Sequence, residues 1–272
     1  MKKNRVIPVL LLKNGWLVQS KGFKRYQNLG NPTTAVRRLS EWGSDELIYL
    51  DISRDDNYNM RRNDQNYSNR QSFLEIIEDV STVTFMPITV GGKIEKLEDI
   101  EKRLKLGADK IAINSKAIND AGFIEKSARE FGAQCIVVSI DAKINNKNYV
   151  VYDHKNSSLT ELNVLNYSKR VESMGAGEIL LNSVDRDGLG NGYDLQLLNL
   201  IANHVKIPVI ACGGVGEWYH FQEALENTNV DAVAAANIFH YRDQSVYLAK
   251  QHLYETNMQV RKPDLLSINS IK

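Results

Sequence analysis

Along the chain, short apolar runs recur with longer amphipathic stretches between them. The runs are Val6–Leu12, Leu47–Ile52, Met86–Val90, Lys110–Asn114, Gln134–Ile140, Glu178–Asn182, Pro208–Cys212 and Asp231–Ala236. Each is short, apolar and bounded by polar or turn-forming residues, as strands buried on both faces are. The stretches between them, for example Lys96–Leu106 and Asp194–His204, carry apolar residues at i, i+3 and i+4 and predict helices. Eight strand–helix alternations in one chain predict a single-domain (β/α)8 TIM barrel. An open doubly wound sheet is the alternative, but no Gly-x-Gly-x-x-Gly follows the first run.

The pattern repeats within itself. Met86-Pro-Ile-Thr-Val-Gly-Gly92 parallels Ile207-Pro-Val-Ile-Ala-Cys-Gly-Gly214, and Gly43-Ser-Asp-Glu46 parallels Gly175-Ala-Gly-Glu178. Two halves in tandem predict a half-barrel duplication. The barrel is expected over residues 1–255, with a peripheral tail at 256–272. Residues 53–71 break the rhythm: long, polar and rich in Asn and Arg, they follow the second strand. They read as a solvated surface insertion in a βα loop, with a substrate lid as the alternative.

Composition narrows the field. With 43% hydrophobic and 25% charged residues the chain has a soluble globular profile, expected in the cytoplasm. A net charge of +1 gives no field for nucleic acid, and no apolar run is long enough to span a membrane. Cys135 and Cys212 lie in or beside strand runs and are expected to be buried reduced thiols. No metal site or cofactor is expected.

Chemistry is expected at the C-terminal strand ends. Gln134–Lys143 is a buried run that ends in a carboxylate, Asp141, the leading acid–base candidate. Gly213 and Gly214 after strand seven, with Ala236 and Asn237 after strand eight, form small-residue loops before helices. Such loops suit a phosphate. Gly91 and Gly92 with Asn114 and Ser115 form a second such pair, related by the repeat. Two pairs predict a bis-phosphorylated substrate lying across the mouth. Asp187 and Gly188, after strand six, flank the first pair or form an Asx-type turn.

These residues in order resemble a known family. Ile7-Pro8, Leu50-Asp-Ile52, Thr89-Val-Gly-Gly92, Gly107-Ala-Asp-Lys110, Ile-Asp-Ala-Lys143, Gly175-Ala-Gly-Glu-Ile-Leu-Leu181, Asp185-Arg-Asp-Gly188 and Cys212-Gly-Gly214 are similar to the cyclase subunit of imidazole glycerol phosphate synthase. The resemblance runs from about residue 5 to 255. It implies a lyase-type cyclase in histidine biosynthesis, paired as a heterodimer with a glutaminase. Ammonia from glutamine would pass along the barrel axis and react with a bis-phosphorylated aminoimidazole ribonucleotide. The products would be imidazole glycerol phosphate and an aminoimidazole carboxamide ribotide. The resemblance makes Asp141 a catalytic carboxylate, Asn114 its support, and Gly92, Asn114, Ser115, Gly188, Gly214 and Asn237 phosphate contacts.

The departures cluster at the same mouth. The family's second catalytic aspartate, on strand one, falls at Leu11; the internal repeat also places Leu11 opposite Asp141. The basic residue after strand one falls at Gln19, the third glycine at Lys93, and a hydroxyl after the strand-six Asp-Gly at Leu189. The four charges that ring the family's ammonia entrance are all present, as Arg5, Glu46, Lys110 and Glu178. Two further readings follow from that contrast. One is an ammonia-conduit paralogue serving a separate sugar amidotransferase in surface-polysaccharide synthesis. The other is a non-catalytic interaction subunit.

Overall fold

The structure, a computed structural model, describes residues 3–54, 58, 70 and 72–265. The chain runs β1 (Arg5–Lys13), β2 (Trp16–Lys21), β3 (Arg25–Gly30), α1 (Pro32–Glu41), β4 (Leu47–Asp51), α2 (Phe73–Ser81), β5 (Ile88–Gly91), α3 (Leu97–Lys105) and β6 (Lys110–Ile113). It continues through α4 (Ser115–Asn119), α5 (Gly122–Phe131), β7 (Ile136–Asn145), β8 (Asn148–Asp153), β9 (Ser158–Asn163), α6 (Val164–Ser173) and β10 (Glu178–Ser183). Last come α7 (Leu195–Ala202), β11 (Val209–Cys212), α8 (Trp218–Asn227), β12 (Ala232–Ala235) and α9 (Ser245–Glu255).

Eight strands pair in parallel in the order β1, β4, β5, β6, β7, β10, β11, β12, and β12 returns to β1. The sheet is therefore a closed barrel, and the expected (β/α)8 fold is the observed one. Alternate residues of each strand face the axis, because successive side chains of a strand point to opposite faces. Ile7, Ile48, Ala112, Val137, Leu180 and Ala234 form one inner apolar cluster. The outer residues pack against the helices; on α1, for instance, Ala35, Val36 and Leu39 are buried.

The halves repeat in three dimensions. β1 and β7 both run past the rim and fold back as antiparallel hairpins, β2–β3 and β8–β9. Each hairpin leads into a helix capped by an asparagine, Asn31 on α1 and Asn163 on α6, whose side chain accepts from N–H groups of the first turn. The next element in each half brings a glutamate, Glu46 or Glu178, to the bottom of the barrel. Further on, Asp109 accepts from the N–H of Ile88, and Asp231 from that of Val209, both at 2.8 Å.

Past α9 the chain stays attached. Val260 is buried and bridges to Asn4 in parallel, and the N–H of Asn4 donates to the carbonyl of Gln259 at 2.6 Å. Most of the 53–71 insertion lies outside the described residues, as do 266–272. Tyr58 is described: it is buried, and its hydroxyl donates to Asp51 at 3.1 Å. That contact anchors one point of the insertion to the end of β4.

Candidate active site and axial charge ring

At the N-terminal end of the barrel four charges close a cycle. Arg5 donates to Glu46 at 2.6 Å and to Glu178 at 2.9 Å. Lys110 reaches the same two carboxylates, each at 3.1 Å. Every member therefore has two partners of opposite sign, and charge alternates around the ring. The side chains are between 10% and 19% exposed, so solvent screens the ring little while still reaching it. All four residues singled out in the sequence are brought together here.

At the opposite end lies a cavity of about 710 Å³. Asp141, at the rim end of β7, is buried in its floor. One carboxylate oxygen accepts from Asn114 Nδ2 and the other from Asn182 Nδ2, each at 2.9 Å. Burial pushes the Asp141 carboxyl above its ordinary value. The Asn182 amide, a neighbouring His154 and the Asn114 amide work against that rise, and Asp187 adds to it. Leu11 and Leu50, paired in register on β1 and β4, present apolar surface to the same space. No second carboxylate occupies the β1 position.

The remaining candidates divide into two sets. Gly92, Asn114 and Ser115 line the cavity together, with Lys93 and Lys116 beside them. Gly92 has φ +109°, and a Cβ there would stand 2.3 Å from the Asp51 carbonyl, so only glycine fits. Of the other set, Asp187 and Ala236 line the cavity, while Gly188, Gly213, Gly214 and Asn237 are not among its lining residues. The β2–β3 hairpin accounts for this arrangement. Asn237 Nδ2 donates to the carbonyl of Ser20 at 2.8 Å, and the Gly22 N–H donates to that of Asp187 at 3.1 Å. The Asp187 carboxylate accepts from Ser20 Oγ at 3.0 Å and the Phe23 N–H at 3.2 Å. Asp187 thus holds a hairpin across the mouth. Its own carboxyl is raised by burial, and these hydrogen bonds offset part of that rise.

Sequence reasoning missed the hairpins and what they carry. Phe23 on the first faces His154 on the second, ring centroids 5.2 Å apart. Lys13 sits 4.0 Å over the Tyr26 ring. A signal existed: Asn14-Gly15 is a two-residue hairpin turn, and both residues have positive φ. Asn146-Lys147 turns the second hairpin the same way, without a glycine to announce it. Asn182 was also missed as a partner of Asp141, although the two sit opposite each other in the β7–β10 register. Cys212 lines the cavity; burial, with nearby carboxylates, pushes its thiol up to about 12, so it is not a thiolate nucleophile. Among the described residues, no group of three His, Cys, Asp or Glu is placed to hold a metal ion.

A closed parallel barrel with a cavity at the C-terminal strand ends defines the class: a (β/α)8-barrel protein. Residues 5–245 match the family model described as histidine biosynthesis protein. The chain is 39% identical to imidazole glycerol phosphate synthase subunit HisF of Bacillus cereus (strain G9842), over 96% of this chain and 100% of that one. It is 40% identical to the subunit of the same name from Hydrogenobaculum sp. (strain Y04AAS1), with the same coverage. A protein provisionally named imidazole glycerol phosphate synthase subunit hisF2, of Vibrio vulnificus (strain YJ016), is also 40% identical, over 96% of this chain and 92% of its own. The chain belongs to the histidine biosynthesis protein family, in its HisF-type branch.

Proposed function

We propose that this chain is the cyclase-type subunit of a glutamine amidotransferase, receiving ammonia from a glutaminase bound at the bottom of the barrel. The observation that carries the reading is the pairing of two ends on one axis. A closed charge ring stands at the entrance, and a carboxylate held between two amides stands at the exit. Between them lie small or apolar side chains such as Ala112 and Ala234. Ammonia is small and neutral, so an apolar lumen admits it while excluding ammonium and other ions. In this reading the four ring charges form the gate. Gly92, Asn114 and Ser115 receive one phosphate, and Gly188, Gly213, Gly214, Ala236 and Asn237 the other. Asp187 frames that second site through the hairpin, since its own charge would oppose an anion.

Asp141 is then the principal acid–base group. Ammonium salts supply the nitrogen without a glutaminase, so the test is turnover of the bis-phosphorylated ribulosyl formimino aminoimidazole ribonucleotide by the isolated chain. The wild type turns it over, and Asp141→Asn lowers kcat by roughly 10²–10⁴-fold. Absence of turnover in both the wild type and Leu11→Asp contradicts the reading.

Leu11 favours a second reading, the conduit paralogue that hands ammonia to a sugar amidotransferase in surface-polysaccharide synthesis. There the barrel serves as a channel and the loss of the β1 carboxylate is neutral. It predicts a complex with a third protein at the mouth and no cyclisation by this chain.

A further inference from the structure

We propose that His154 is a second proton-transferring group of this reaction chamber, covering the role that the apolar Leu11 leaves open. The inference rests on the cyclase reading above.

Most of the cavity's other ionisable groups are committed elsewhere. Asp51 accepts from the Ser53 N–H and hydroxyl on one oxygen and from Tyr58 on the other. Asp187 is engaged by the hairpin. Lys155 and Glu95 pair with each other at 2.7 Å across the rim. Tyr26 donates to the Phe23 carbonyl at 3.0 Å. The Cys212 thiol stays protonated.

His154 differs from all of these. It lines the cavity that holds Asp141, and its ring nitrogens have no hydrogen-bond partner among the described residues. It is held in place nonetheless. The buried Asp153 carboxylate accepts from the Lys155 N–H at 2.9 Å and the Asn156 N–H at 3.3 Å, closing an Asx turn around residue 154. Phe23 covers one side of the ring. The charged groups that share the cavity with the imidazole are Asp141 on β7 and Asp187 after β10, then Asp51, Arg54, Lys93, Glu95, Lys116 and Lys155, and Asp153 precedes it in the chain. The first two are close enough for a protonated His154 to favour their ionised forms. An imidazole offers one ring nitrogen as donor and the other as acceptor, the pairing that a proton-transferring group needs.

The chemistry balances. The nitrogen derived from ammonia forms its new C–N bond with its lone pair and gives its surplus proton to Asp141. The C–N bond to the aminoimidazole fragment breaks, its electron pair leaves on that nitrogen, and the imidazolium of His154 protonates it. Solvent then returns Asp141 to carboxylate and His154 to imidazolium.

The test is ammonium-driven turnover of the same substrate across pH 5.5 to 9, for wild type, His154→Gln and His154→Ala. His154→Gln is expected to lower kcat by roughly 10²–10⁴-fold. Its KM should stay within about threefold, and the alkaline fall of the wild-type kcat profile should vanish. Added imidazole should restore part of the His154→Ala rate, which a merely structural role would not allow. If the wild type turns over and His154→Gln keeps both its kcat and its alkaline limb, the assignment is wrong and the cyclase reading stands. If the wild type does not turn over, the assignment falls together with that reading.

Discussion

Asp141 is buried as a carboxylate, which costs stability that its two amide donors only partly offset. A folded-state pKa above the ordinary 3.8 means that the folded chain holds this proton more tightly than the unfolded one. The contribution to stability is therefore fully present below that ordinary value and is lost as pH rises through the raised one. Asp141→Asn removes the ionisation. At pH 8 the variant should be more stable than the wild type, by about 1 kcal/mol, as substitutions that relieve functional strain commonly are. The gain should shrink toward pH 4. Denaturant unfolding at the two pH values checks this, and a variant less stable than the wild type at pH 8 would contradict it.

At the scale of elements, the two hairpins are what the structure adds. Lys147 occupies the second central position of the β7–β8 turn at φ +67° and is exposed. A non-glycine residue there costs about 1–2 kcal/mol. Lys147→Gly should raise stability by roughly 0.5–1 kcal/mol, read as a higher denaturation midpoint with an unchanged slope. A fall in the midpoint would show that the turn is not of this type.

The hairpins also explain how far the sequence could be read. All eight barrel strands were legible, because a strand buried on both faces leaves a continuous apolar run. The hairpin strands are half-exposed and polar, like Arg25–Gly30 and Ser158–Asn163, and leave no such trace. The four ring charges were named only through the family resemblance, whereas the loss at Leu11 was legible from the internal repeat as well. The way Asp187 and Asn237 are drawn to the hairpin was not. It depends on contacts between residues as far apart as Ser20 and Asn237.

At the scale of the whole molecule, the closed charge ring and the Asp141 cavity stand at opposite ends of one barrel. In the proposed function the ring is the joint between this chain and its ammonia source. Its members share partners, so reversing one charge leaves three in mutual conflict: with glutamate at 110, Glu46 and Glu178 gain a third carboxylate and keep only Arg5. The mouth lies at the far end of the strands, so the chemistry itself should be spared. The most direct measurement is therefore the ratio of glutamine-driven to ammonium-driven turnover, in the complex with a glutaminase, for wild type and Lys110→Glu. Ammonium-driven kcat is expected to stay within about threefold of wild type while the ratio falls at least about tenfold. An unchanged ratio, with both activities intact, would contradict it.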